Sequence, residues 1–421
     1  MDYYSQFLSI VDKPSGFMVC DLMQIKDGIH WVGILHPEAR KFDIELVTER
    51  GTTYNSYLIK GEKTVVIDTV RVAFKEEFLS KIKALVDPET IDYVVINHCE
   101  PDHSGSLNAL LKIAPNAKVV CTKPAKRFLK GILNRPFDAI EVSEDVPLEL
   151  GRGKTLKFLI TPFLHWPDTM VTYLVQDKLL FSCDAFGAHY SDERLFNDLV
   201  EDYRYEFHYY FDRIVRPFKK YVLEAIQKIK DANWDIEMIC PSHGPILRHN
   251  PEKYVKLYEE WSTTSEHPSG LKKVVVFYTS AHGCTQKLVH AVVKGLNSEK
   301  NVRTLIFNLE DYNEEIIRNE LESANGILIG TPTIASDAPK PIWNFLSLFH
   351  TVAINRAKTR TSVFGAYGWS GEAIKMVEDR LKSLRLRVIE SNIRINFVPT
   401  AMDLAQCEEF GKEFARTIAD L

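Results

Sequence analysis

Two imidazoles and two carboxylates, His98, Glu100, Asp102 and His103, fall within one short stretch, Asn97-His98-Cys99-Glu100-Pro101-Asp102-His103-Ser104-Gly105. These are nitrogen and oxygen donors of the kind that hold first-row metal ions, and two buried carboxylates side by side would repel without a cation between them. The apolar run Tyr93-Val94-Val95-Ile96 reads as a buried strand, so the cluster occupies the loop leaving its end. If the chain stays extended there, His98, Glu100 and Asp102, at a spacing of two, project to one side, and His103 opens the next turn. A surface loop that carries such residues by chance is the competing reading. Closure by Pro101 and by Ser104-Gly105 directly after a strand argues against it.

Three more donors stand at strand ends beside turn residues. They are His165 in Thr161-Pro162-Phe163-Leu164-His165-Trp166-Pro167, Asp184 in Phe181-Ser182-Cys183-Asp184-Ala185-Phe186-Gly187, and His243 in Cys240-Pro241-Ser242-His243-Gly244-Pro245. Taken singly, each would serve as a loop histidine, a helix-capping aspartate or a turn histidine.

The pattern His98-x-Glu100-x-Asp102-His103 resembles the metal motif of the metallo-β-lactamase superfamily, with Glu100 where the zinc hydrolases carry a second histidine. That exchange resembles the flavodiiron proteins, or A-type flavoproteins, and the similarity runs over almost the whole chain. The resemblance implies one iron on His98, Glu100 and His165, another on Asp102, His103 and His243, and Asp184 bridging them. It further implies an FMN that feeds the irons and reduction of dioxygen to water or of nitric oxide to nitrous oxide. In the family, flavin and irons of one chain lie too far apart for fast transfer, so a head-to-tail homodimer, or a dimer of such dimers, is expected. The electron donor would be external: rubredoxin, a deazaflavin or a reductase. Ser104 and Tyr190, near the ligands, are candidates for tuning the substrate. A zinc-dependent lactonase or thioesterase fused to a flavodoxin-like domain, or a flavoprotein electron carrier, are the rival readings. The flavin favours iron, because a redox-inert ion needs no electron donor beside it.

The elements that must position these groups follow from periodicity. Short β-rich runs, 28–34, 53–59, 64–69, 117–121, 155–160, 170–175 and 178–181, with a helix over 74–85, suit two sheets packed face to face with outer helices, an αβ/βα sandwich. The polar, Pro- and Gly-bearing stretch Trp261 to Gly270 suits a linker, giving domains 1–262 and 272–421 joined by 263–271. Residues up to about Gln24 form an N-terminal extension. After the linker, strands over 273–278, 302–307, 326–330, 361–366 and from Val388 alternate with helices, the pattern of an α/β doubly wound, flavodoxin-like domain.

Three loops of that second domain are the expected flavin site. Thr279, Ser280, Ala281, His282, Gly283, Cys284 and Thr285 join the first strand to a helix over 286–296, where hydroxyls and backbone NH groups suit a terminal phosphate. GxGxxG is missing and no GKT or GKS follows, so the loop is neither a dinucleotide fingerprint nor a Walker motif. Pro332, Thr333, Ile334 and Ala335 end the third strand, and Ala366, Tyr367, Gly368, Trp369, Ser370 and Gly371 end the fourth. Tyr367 and Trp369 can flank an isoalloxazine ring. Ala335 stands where flavodiiron proteins often carry Asn.

Bulk properties narrow the partners. The 421 residues suit two domains, and 52 basic against 57 acidic side chains leave a net charge of −5 with no long run of one sign, which argues against a nucleic-acid or anionic-membrane surface. No apolar stretch approaches the roughly 20 residues that span a bilayer, and the start lacks a basic signal segment, so a cytoplasmic protein is expected. The 7 cysteines are scattered with no CxxC pair, which excludes a rubredoxin-type or iron–sulfur module in these residues and sends the electrons to an external source.

Overall fold

The computed structural model describes residues 23–263, 270–311 and 313–420. The expected extension, apart from Met23 and Gln24, and most of the linker lie outside them. The chain separates into two compact units. One holds the two large N-terminal sheets, and the other holds the C-terminal sheet with residues 163–165, 204–233 and 250–263.

The first sheet of the first unit orders its strands as they occur in the chain: β1 Met23–Lys26, β2 Ile29–Trp31, β3 Tyr57–Ile59, β4 Thr64–Ile67, β5 Ile91–Val95, β6 Lys118–Cys121 and β7 Ala139–Glu141. Pairing is antiparallel up to β4 and parallel from β4 to β7. Parallel pairs need crossover connections. These are supplied by the helices Lys75–Leu85, Leu107–Ile113 and Lys123–Leu133, whose Phe78, Ile82, Leu110 and Leu129 pack on one face of the sheet.

The opposite face meets the second sheet, β8 Leu148–Gly151, β9 Lys154–Ile160, β10 Met170–Leu174, β11 Leu179–Cys183 and β12 Met238–Pro241, again in chain order. Trp31, Tyr57, Ile67 and Val120 of the first sheet interleave with Leu156, Phe158, Met170 and Phe181 of the second in one core. The sequence predicts an unbroken strand over 53–59. The chain breaks instead at Asn55, whose side-chain amide donates to the carbonyls of Pro241 and Gly244 at 2.8 and 2.9 Å and so anchors the loop carrying His243.

In the second unit β13 Lys272–Tyr278, β14 Val302–Asn308, β15 Gly326–Gly330, β16 Arg360–Tyr367 and β17 Arg387–Val388 form a parallel sheet of order β14-β13-β15-β16-β17, the doubly wound arrangement expected. The last expected strand is split, because β17 has only two residues and a separate β18, Arg394–Asn396, pairs with the end of β16. Trp261 and Ser262 close the helix Pro251–Ser262, with Ser262 buried, so they are not linker. No helix of the described residues is long and apolar enough to cross a membrane.

Candidate metal centre and flavin cradle

The loop after β5 is held before it reaches its first donor. Asp68, at the end of β4, accepts from the backbone N and side-chain Nδ2 of Asn97, both at 2.8 Å, and Asn97 Oδ1 accepts from Thr172 Oγ1 of β10 at 2.6 Å. Burial raises the Asp68 pKa to about 6. Beyond Glu100 the chain does not stay extended as the spacing suggested. Pro101, suited to a first helical position, starts the helical turn Pro101–Ser104. Asp102 therefore turns away from Glu100 and sits with His103.

The donors form two groups. His98, Glu100, His165 and Asp184 each offer an atom within 4.8 Å of the others, and so do Asp102, His103 and His243. All seven sequence-predicted donors are thus brought together. His98 Nε2 is 3.1 Å from Glu100 Oε2 and 3.8 Å from Asp184 Oδ2. The other oxygen, Asp184 Oδ1, is 3.1 Å from His103 Nε2 and 3.4 Å from His243 Nε2, and Asp102 completes that group at 3.4 Å from His103 and 3.0 Å from His243. One carboxylate thus turns an oxygen toward each group.

A pair of cations fits this arrangement. Metal–ligand bonds of about 2.0–2.2 Å place neighbouring donors on the order of 3 Å apart. His243 Nδ1 donates to the Thr53 carbonyl at 2.6 Å, which leaves the lone pair on Nε2 facing carboxylate oxygens. Both Asp102 oxygens are buried and accept no hydrogen bond among the described residues. Lone pairs aimed at one another in a dry site are stable only around positive charge. The protonation tendencies agree. Burial lowers the His98 and His103 pKa values, but Asp168, Glu100 and Asp184 around the first and Asp102 and Asp184 around the second outweigh it, leaving both above the usual imidazole value.

Several residues around the centre escaped the sequence reading. Asp168 approaches His98 Nδ1 at 3.3 Å and accepts from Cys99 N at 2.8 Å. Its only signal was its place in Trp166-Pro167-Asp168, on the loop already carrying His165. His189 is buried, its Nδ1 2.9 Å from Thr52 Oγ1 and its ring centroid 5.2 Å from that of His243, and burial followed by the nearby His243 holds it neutral. The two tuning candidates are otherwise engaged. Ser104 Oγ donates to the Cys99 carbonyl at 2.7 Å, and the Tyr190 hydroxyl accepts from Arg50 at 2.8 Å and donates to Asp192 at 3.2 Å.

In the second unit a cavity of 330 Å³ opens at the carboxyl edge of the sheet. Its lining comprises Ser280, Ala281, His282, Cys284 and Thr285 after β13, Pro332 to Ala335 after β15, Ala366 to Trp369 at β16, and Phe397. The helix starts at Cys284, two residues earlier than its periodicity suggested, because Gly283 takes a left-handed φ of +76° as its cap. Cys284 and Thr285 of the first turn line the cavity, and a helix N-terminus at that edge suits a phosphate. Thr279, Gly283, Ser370 and Gly371 are not in the lining. The Thr279 hydroxyl is taken by Glu310 at 2.5 Å, and Gly371 caps the helix Glu372–Ser383. Phe397 was missed, since it follows the short β18, distant in sequence from the loops with recognisable turn chemistry. Trp369 and Phe397 are 80% and 63% exposed, so the cavity rim presents two bare aromatic rings.

Comparisons with known proteins agree with both halves. Residues 52–244 match the ODP family beta lactamase model and residues 276–411 the flavodoxin model. The chain is 41% identical to the flavo-diiron protein FprA2 of Clostridium acetobutylicum over 94% of its own length and 99% of the relative's. It is 40% identical to the type A flavoprotein fprA of Rhodobacter capsulatus, covering 97% and 92%, and 35% identical to an anaerobic nitric oxide reductase flavorubredoxin of Enterobacter sp., covering 93% and 81%. Among solved structures, the rubredoxin oxygen:oxidoreductase of Desulfovibrio gigas superposes with a TM-score of 0.67 at 28% identity, covering 94% of this chain and 98% of that one. The flavodiiron protein of Giardia intestinalis superposes with a TM-score of 0.66 at 27% identity, covering 96% and 98%. With its lactamase-like metal domain, its flavodoxin-like domain and relatives matched along nearly their whole length, the chain belongs to the flavodiiron proteins, whose cofactors are FMN and a diiron centre.

Proposed function

We propose that this protein reduces dioxygen to water, nitric oxide to nitrous oxide, or both, with electrons delivered through FMN to a pair of irons. The carrying observation is Asp184, with Oδ2 turned to His98 and Oδ1 to His103 and His243. His98, Glu100 and His165 would hold one iron, Asp102, His103 and His243 the other, and Asp184 would bridge. FMN and two irons together supply four electrons, enough for dioxygen or for a pair of nitric oxide molecules. The names of the Desulfovibrio gigas and Enterobacter relatives, rubredoxin oxygen:oxidoreductase and anaerobic nitric oxide reductase flavorubredoxin, support both substrates.

The chain's own contribution is positioning. His98 and His243 are each oriented by a hydrogen-bond acceptor on Nδ1, so that Nε2 points inward. Phe42 lies against His189 and His243, with ring centroids 4.3 and 5.4 Å away, and gives the second group an apolar wall suited to a small neutral diatomic. In the second unit the first-turn amides of the helix Cys284–Leu296 would bind the phosphate, while Tyr367 and Trp369 would flank the ring.

The protein works as a head-to-tail homodimer that receives electrons from an external carrier. The exposed Trp369 and Phe397 at the cradle rim, and the rubredoxin named in the Desulfovibrio gigas relative, support this reading. The test is anaerobic reconstitution with FMN and either ferrous iron or zinc, followed by photoreduction. The iron form is expected to consume gas, and the zinc form is expected to reduce its flavin without consuming nitric oxide. Equal gas consumption by both forms would exclude the diiron reading. Sedimentation of a fully active monomer would exclude the dimer.

A further inference from the structure

The inner-facing histidines of the metal centre are supported unequally. His98 Nδ1 faces the Asp168 carboxylate at 3.3 and 3.4 Å, His243 Nδ1 donates to a neutral backbone carbonyl, and His103 Nδ1 has no hydrogen-bond partner among the described residues. Asp168 is itself fixed by two further hydrogen bonds. It is fully buried, its Oδ2 accepts from Cys99 N at 2.8 Å, and its carbonyl accepts from Thr122 Oγ1 at 2.8 Å. Two residues before it, Trp166 sets its ring against His98 with centroids 4.9 Å apart. The loop that brings His165 to the first group thus also clamps the other imidazole of that group.

We propose that Asp168 is a positioning residue that makes the two metal positions unequal: by accepting the Nδ1 proton of His98 it fixes the ring, enriches Nε2 and strengthens metal binding at the His98–Glu100–His165 position alone. The inference rests on the diiron reading above. A buried carboxylate behind a ligating imidazole raises its basicity, and losing such a partner typically weakens metal binding about 10- to 100-fold. In the second group His243 Nδ1 donates to the Thr53 carbonyl and His103 Nδ1 has no hydrogen-bond partner among the described residues, so Asp168 acts on the first group.

The test is chelator titration of iron-loaded Asp168→Asn, with Thr122→Val as a control that disturbs the same loop but leaves the carboxylate in place. Iron and flavin per chain are read after each step. In Asp168→Asn one iron is expected to leave at about 10- to 100-fold lower chelator concentration than in the unmodified protein, with the second iron, the flavin content and the control unchanged. An unaltered titration, or simultaneous loss of both irons, overturns the proposal. Wild-type protein that holds no iron would instead overturn the diiron reading. Should Asp168→Asn fail to fold, the unmodified protein loaded with zinc as a diamagnetic probe decides by 15N–1H correlation of its histidines. A proton on His98 Nδ1 is expected, and a proton on Nε2 overturns the proposal.

Discussion

Replacing Asp184 with Ala should weaken both metal positions at once. Its carboxylate approaches both groups: Oδ2 lies 3.8 Å from His98 Nε2, and Oδ1 lies 3.1 and 3.4 Å from the Nε2 atoms of His103 and His243. Structural metal sites bind with about 10–16 kcal/mol, usually through four ligands, so one ligand contributes roughly 3 kcal/mol, on the order of a hundredfold in affinity. Asp184→Ala should therefore shift the release of both irons to roughly a hundredfold lower chelator concentration, whereas His243→Ala should shift one. Iron per chain, measured by elemental analysis after equilibration with a graded chelator series, separates the two patterns. Folding can be checked on the same samples by flavin content, since the cradle lies in the other unit. If Asp184→Ala retains one iron at undiminished strength, the bridging assignment is wrong.

Three further substitutions probe the frame and the cradle. Arg318 is fully buried and binds the side chain and carbonyl of Asp212, while Asp212 also holds Arg216 at 2.7 Å; Arg318→Met should cost about 3 kcal/mol in urea unfolding, the low end for a broken buried pair, and a loss under about 1 kcal/mol would contradict this. Burial raises the Asp212 pKa, but Arg318 and Arg216 outweigh it and hold it below the usual value, so this stabilisation should be complete above about pH 4 and fade as pH falls through the depressed pKa, narrowing the gap between variant and wild type. Glu378 behaves oppositely: burial, only partly offset by Arg394, raises its pKa, so stability is greatest below the ordinary glutamate value and declines as pH rises through the folded one. Glu378→Gln should raise Tm more at pH 8 than at pH 4, and an equal change at both would refute the assignment. At Gly365 a Cβ would lie 1.8 Å from the Thr331 carbonyl oxygen, so Gly365→Ala should displace the adjoining Pro332–Ala335 loop at about 1–3 kcal/mol and lower flavin per chain after gel filtration; full flavin retention would show that the loop does not shape the cradle.

The donors were legible because each sits where a strand ends and the chain turns, and their residue types are costly to bury without a cation. The doubly wound sheet was legible because β13 and β15 carry continuous apolar runs, Val274 to Phe277 and Ile327 to Ile329, bounded by turn residues and alternating with helical periods. What depends on tertiary contact was not legible. The break at Asn55 arises from carbonyls of Pro241 and Gly244, far along the chain, and Asp168 was indistinguishable from any loop aspartate until it stood behind His98. The expected alignment of Asp102 with Glu100 failed because Pro101 begins a helical turn between them, a local signal read as mere punctuation. Phe397 reaches the cavity from a three-residue strand that no periodicity marks.

Stopped-flow oxidation of the fully reduced protein, holding FMN and iron, by dioxygen and separately by nitric oxide tests the central claim most directly. Flavin and iron signals should both be oxidised rapidly by at least one gas, with water or nitrous oxide as product and four electrons consumed per dioxygen or two per nitrous oxide. Reduced flavin that persists under both gases, or a purified holoprotein devoid of iron, would contradict it.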